Sequence, residues 1–318
     1  MSSRFLTIIL SIVVLAACGN NKGASEASAT PEPAPEVAFD ADSAYSYVAR
    51  QVEFGPRVPN TEAHRLCGDW LASELRRHGA EVTEQRADLK AFDGTVLHAR
   101  NIFGRINPDA TDRVLLLAHW DCRPWADADP DPANHKTPVD GANDGASGVG
   151  VILEIARQLK LAGSERGVDF LIVDAEDWGN EGLEDSWALG TRYFMEHLPV
   201  EGYSPDTAIL LDMVGGTDAK FYREYFSERS ASALANKVWG AAARLGYGDM
   251  FINRLGGAIT DDHVQLISHG IPAIDIIEYH PEASSGFNSR WHTVADNMEG
   301  ISASTLGAVG KTVMLSIE

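Results

Sequence analysis

Four apolar runs constrain the fold more than any other feature of this chain. They are RVLLLAHWD (113–121), VDFLIVDAED (168–177), TAILLDMVG (207–215) and IPAIDIIEY (271–279). Short, nearly continuous apolar segments of this kind suit strands buried on both faces. Stretches with helical character lie near each of them, at about 145–161, 186–197, 228–245 and 302–316. This alternation predicts an α/β fold with a mixed, mostly parallel central sheet and helices on both faces. Upstream, DADSAYSYVARQVEF reads as a helix that stops at Gly55-Pro56. TEAHRLCGDWLASELRRHG reads as a second, opened by the N-cap Thr61 and closed by Arg76, Arg77, His78 and Gly79. Two strand-like runs at 81–92 and 96–106 flank a DG turn signal, and are expected to add antiparallel edge strands.

The same runs end in polar groups. VDFLIV drives into Asp174, Glu176 and Asp177; another run ends in His119 and Asp121, and a third in Asp212. In open α/β sheets ligands bind just beyond the carboxyl ends of the strands, so these groups are expected at a functional rim. Asp144 lies in GANDGASG (141–148), where glycines allow a tight turn before a helix, and His292 lies in RWHT. Taken singly, Asp144 could simply cap that helix. Mixed histidine and carboxylate donors suit zinc, and a catalytic zinc keeps one position open. Three cysteines are too few for a structural all-cysteine site; Cys67 and Cys122 are open to pairing or to burial as free thiols.

Charge excludes one class of function. With 46 acidic against 26 basic residues the net charge is -20, which leaves nothing to neutralise phosphate, so no nucleic-acid partner is expected. At the amino end, Arg4 precedes an apolar run from Phe5 to Ala17, too short to span a membrane and without a basic flank behind it. Leu15-Ala16-Ala17-Cys18 resembles a bacterial lipoprotein signal. That resemblance implies a signal peptide at 1–17, a lipidated Cys18 and an extracytoplasmic protein anchored to a bacterial membrane. Residues 18–39 are rich in Ala, Ser, Pro and Glu and read as a tether; 40–318 read as one catalytic domain.

Six segments carry a wider resemblance: AHWD, DGANDGASG, DAED, LLDMVG, DDH and WHT occur in the order of the M28 zinc-peptidase family. They resemble above all its glutaminyl cyclase branch, of the bacterial lipoprotein type. The cyclase resemblance implies one zinc, held by Asp144, Asp177 and His292. An M28 aminopeptidase would instead hold two, with His119 and Asp212 on the second ion and Asp144 bridging. Trp291 before the zinc histidine and Asp261 in DDH favour the cyclase. The chain departs from animal cyclases at Glu176-Asp177, where they carry Glu-Glu, and at Asp275, where they carry His.

The resemblance implies conversion of N-terminal glutamine of peptides or proteins to pyroglutamate with release of ammonia. Glu176 would shuttle the proton, Asp261 and Asp212 would form a supporting acid pair, and Trp291 would wall the glutamine side chain. A catalytically dead binding domain is the third reading, disfavoured because every ligand position is filled by a competent residue. The loop 123–141, dense in Asp and Pro, is expected near the pocket, where it could shape peptide entry. Segment 178–187 is expected to form a second rim loop, and Trp125, Trp178 and Trp187 are equally suited to the mouth or to packing. His135, His197, His269 and His280 are expected to be structural or exposed.

Overall fold

The structure, a computed structural model, describes residues 35–317. The expected leader, Cys18 and most of the tether lie outside the described residues. The described residues form one compact unit. Its centre is a six-stranded sheet ordered β1-β2-β4-β3-β5-β8. The strands are β1 (Glu81–Lys90), β2 (Val96–Ile106), β3 (Arg113–His119), β4 (Gly167–Val173), β5 (Thr207–Asp212) and β8 (Ala273–Ile277). β4, β3, β5 and β8 are mutually parallel, while β1 and β2 form the antiparallel hairpin at one edge, as expected.

Side-chain alternation assigns the two faces. Leu116, Phe170, Leu211 and Ile276 enter the larger core, against helices α1 (Ala41–Glu53), α2 (Glu62–Arg77), α3 (Ser147–Ala162), α5 (Tyr225–Arg244) and α7 (Ala303–Ile317). Leu115, Leu117, Leu171 and Leu210 enter the smaller core, against α4 (Leu189–Glu196) and α6 (Asp262–Ser268). Successive strand residues point to opposite faces, so near-continuous apolar runs are what a sheet covered on both sides requires. A charged pair at the start of the parallel strands is satisfied in place: Arg113 forks onto the buried Asp169, which also accepts from Tyr203 Oη at 2.9 Å.

Three elements had no legible signal in the sequence: α6 and a separate two-stranded parallel sheet of β6 (Phe221–Arg223) and β7 (Phe251–Leu255). Each is too short for a hydrophobic period to emerge. Cys67 and Cys122 are both free and buried, which settles the pairing question for these two.

The start of α3 presses directly on the strand ends. Gly148 lies so close to β5 that an added Cβ would stand 2.0 Å from the Leu211 carbonyl oxygen and 2.9 Å from Ala118 Cβ. This approach holds the turn bearing Asp144 against the ends of β3 and β5. Gly148→Ala is therefore expected to lower stability by about 3 kcal/mol, the upper range for overpacking a close-packed contact. Urea unfolding checks it, and an unchanged midpoint would refute the close approach.

Candidate active site

Every site residue expected from the sequence gathers at the carboxyl ends of the parallel strands. His119 ends β3, Asp212 ends β5, and Glu176 and Asp177 follow β4 after a turn through Ala175, whose φ is 56°. Met213 (φ 47°) and His292 (φ 52°) share this left-handed conformation. For residues other than glycine it costs on the order of 1 kcal/mol or more, and such strain collects where geometry serves chemistry. Gly145, at φ 105°, completes the turn after Asp144; a Cβ there would fall 2.3 Å from the Asp121 carbonyl oxygen.

Asp144, Asp177 and His292 each offer a ligand atom, all within 4.8 Å of one another. His292 Nε2 stands 3.3 Å from Asp177 Oδ1 and 3.7 Å from Asp144 Oδ2. Both carboxylate oxygens of Asp177 are buried without a hydrogen-bond partner. A buried, unpartnered carboxylate facing an imidazole and a second carboxylate fits a divalent cation, and these donor types fit zinc. Asp144 does not cap α3, whose N-cap, Ala146, makes no side-chain bond.

A second set of potential ligands shares Asp144. His119 Nε2 lies 3.0 Å from Asp144 Oδ1 and 3.2 Å from Asp212 Oδ1. Burial disfavours the charged imidazole of His119, but hydrogen bonds to Asp121, Asp144 and Asp212 outweigh it and raise its pKa well above the usual histidine value. The same contest, won chiefly by Asp177 and Asp127, raises His292 to about 9.

Beside these ligands stand the three acids expected to handle protons. Glu176, Asp212 and Asp261 all line a pocket of about 540 Å³, along with Trp291. Burial lifts the Glu176 carboxyl well above the ordinary glutamate range, with Asp261 and Asp177 adding to the shift against His119. Burial, reinforced by Asp212, pushes Asp261 up to about 7; burial pushes Asp212 to about 6 against its hydrogen bond to His119. Asp261 also caps α6, accepting from Asp262 N at 2.5 Å with one oxygen while Oδ2 stays unpartnered. The Trp291 ring stacks on His292 at 3.7 Å between centroids and abuts Phe287.

The pairings of several supporting residues escaped the sequence reading, which places Asp121 at the rim without assigning it a partner. Asp121 accepts from the backbone N–H of both Glu176 and Asp177, at 3.2 Å each. Asp296 does the same for Asn143 and Asp144, at 2.8 and 3.1 Å. Asp127 Oδ1 lies 3.4 Å from His292 Nδ1, the carboxylate–histidine arrangement that orients a metal ligand. Asp261, His263 and Asp275 form a further buried cluster, in which Glu224 holds His263 Nε2 at 3.1 Å. Nothing local in the sequence marks these pairings, because each joins residues distant along the chain.

Two expectations about loops need correction or refinement. No residue of 123–141 lines the pocket. That loop instead backs the metal triad: Arg123 donates to the Asp177 and Gly179 carbonyls, and Ala128 N donates to the His292 carbonyl at 3.1 Å. Segment 178–187 does form the rim. Of its tryptophans only Trp187 lines the pocket, nearly parallel to His292 at 6.1 Å. Trp178 instead packs edge-to-face on Trp125, which meets Phe92 in the same way. His135, His197, His269 and His280 take no part in a metal cluster among the described residues.

A profile of peptidase family M28 matches residues 101–317. The chain belongs to peptidase family M28. Among solved M28-like structures, it is 55% identical to a Zn-dependent exopeptidase from Parabacteroides distasonis, covering 88% of this chain and 98% of that one with a TM-score of 0.87. It is 52% identical to a Porphyromonas gingivalis glutaminyl cyclase, covering 87% and 97%, with a TM-score of 0.86. Aminopeptidase YwaD of Bacillus subtilis is 27% identical over 82% of this chain, which spans only 53% of that longer protein.

Asp121 is a positioning residue in this M28 site, since it grips the peptide that carries Asp177. Asp121→Ala is expected to weaken metal binding about 10- to 100-fold, the usual penalty for losing support behind a ligand. Competition with a chelator measures it, and an unchanged affinity would remove Asp121 from the site.

Proposed function

We propose that this chain is a zinc-dependent glutaminyl-peptide cyclotransferase, converting N-terminal glutamine of peptides or proteins to pyroglutamate and releasing ammonia. The observation that carries the reading is the row of three buried acids, Glu176, Asp212 and Asp261, lining one pocket beside the Asp144–Asp177–His292 triad. Half-identity to a glutaminyl cyclase over 87% of the chain supports it. A single zinc is part of the proposal. The His119 imidazole, in hydrogen-bond contact with Asp144 and Asp212, supplies positive charge where a second ion would otherwise be needed.

Asp144, Asp177 and His292 would hold the zinc, which would supply Lewis acidity toward the side-chain amide carbonyl. Glu176 takes a proton from the α-amine as its nitrogen bonds to the amide carbon. Its raised proton affinity makes the ionised form a stronger base. The same carboxyl then returns the proton to the departing amide nitrogen, so the carbon–nitrogen bond breaks with loss of ammonia and no water is consumed. Asp261 and Asp212, sharing a proton, hydrogen-bond to the oxygen and nitrogen whose charge changes along the way. Trp291, Trp187 and Phe287 enclose the glutamine side chain and exclude water. Both reacting groups belong to one molecule, so the pocket needs only to hold a folded conformer.

Export and anchoring through Cys18 belong to the same proposal. The apolar run ending in Leu15-Ala16-Ala17-Cys18 and the acidic tether behind it support a domain held off the outer face of a membrane.

Mass spectrometry of a Gln-initiated peptide incubated with zinc-loaded protein tests the activity. Loss of ammonia at constant chain length is expected; release of a free amino acid would establish the aminopeptidase, and an unchanged peptide would leave a binding module. Glu176→Gln is expected to lower turnover at least 100-fold while zinc content stays at that of the parent. Loss of zinc would instead make Glu176 a ligand.

A further inference from the structure

The mouth of the pocket carries charge that the chemistry does not use. Glu181 and Glu184, from the rim loop 178–187, both line it, and both are exposed. The part of the lining from Ala283 to Phe287 carries no charge. No lysine or arginine lines the pocket among the described residues, and neither glutamate has an ion-pair partner among them. Arg123, the cation behind Trp187, is buried and committed to Asp127 and to backbone carbonyls.

The loop is braced rather than loose. Ser186 Oγ accepts from Asn180 N at 2.8 Å and donates to the Leu183 carbonyl at 2.6 Å. Leu183 N in turn donates to the Asn180 carbonyl at 3.0 Å. Its far end returns to the start of the acid turn, where Ala188 N and Leu189 N donate to the Glu176 and Ala175 carbonyls. The backbone that carries the two carboxylates is thereby held at a pocket whose lining also includes Asp261 and Asp177, with the buried Asp261 Oδ2 and both Asp177 oxygens unpartnered.

We propose that Glu181 and Glu184 set substrate preference: the site favours peptides in which the residue after the N-terminal glutamine is lysine or arginine, and disfavours aspartate or glutamate there. This rests on the cyclase reading above. The glutamine side chain fills the enclosed end, so the next residue leaves through the mouth and passes the two glutamates. A cationic head there gains from two unneutralised carboxylates, and an anionic one is repelled by both. The aliphatic stem of lysine or arginine lies against apolar wall such as Phe287 and Ala283 while its head reaches the rim.

Initial rates of ammonia release from peptides Gln-Xaa-Ala-amide, with Xaa arginine, alanine or glutamate, test the proposal. At low ionic strength kcat/KM for arginine is expected to exceed that for glutamate about tenfold, and the ratio to shrink at 0.5 M salt as screening shortens the field's reach. Glu181→Lys/Glu184→Lys is expected to invert the order. The N-terminal amine is common to all three peptides, so the ratio reports only the following residue. Equal kcat/KM for all three, or a ratio that the double variant leaves unmoved, overturns the proposal with the cyclase reading intact. Failure to cyclise any of them, with zinc bound, would defeat the cyclase reading itself and this inference with it.

Discussion

Like charges concentrated in a buried space determine much else in this molecule. Asp144, Glu176, Asp177, Asp212 and Asp261 are each at most 9% exposed and share one pocket. A buried carboxylate is stable only if it is neutralised by a proton, a cation or several hydrogen bonds. The cluster leaves room for each of these. Asp177 has no hydrogen bond to either oxygen and so suits a cation; Asp144 is held below its usual range by His119 against burial; burial raises the proton affinity of Glu176 and Asp261. Such a division among chemically similar groups would let one cluster both bind metal and move protons.

The backbone is fixed to suit. Asp121 and Asp296 act through main-chain N–H groups, so they set where the ligand-bearing peptides lie without competing for the metal. The left-handed residues Ala175, Met213 and His292 each adjoin or supply a working side chain. Their strain is tolerated because the surrounding sheet and the loop 123–141 leave those segments no alternative path.

Much of this was legible in the sequence. The four apolar runs specified a two-sided sheet, and the acids at their ends specified the rim, because a strand buried on both faces has no other place for charge. His292 and Asp144, outside any strand, stood out by residue type, but only the family resemblance joined them with Asp177 as one ligand set. What stayed illegible was either too short to show a period, as with β6, β7 and α6, or depended on pairing across the chain. Asp127 shows this well. In a run dense in Asp and Pro it looks like any surface acid, and only the fold brings it to His292. Trp125 and Trp187 lie equally near acidic motifs in sequence, yet one packs outside the pocket and the other lines it.

The triad is also drawn from positions widely spread along the polypeptide, with its imidazole contributed by a loop that follows the last strand of the sheet. A nascent chain therefore has no competent centre until nearly all of it has been synthesised and the β8 strand has docked beside β5. Pairings between such distant segments close late and slowly. A copy that stops before His292 lacks one of the three candidate ligands, so activity through this centre would itself report that folding has finished.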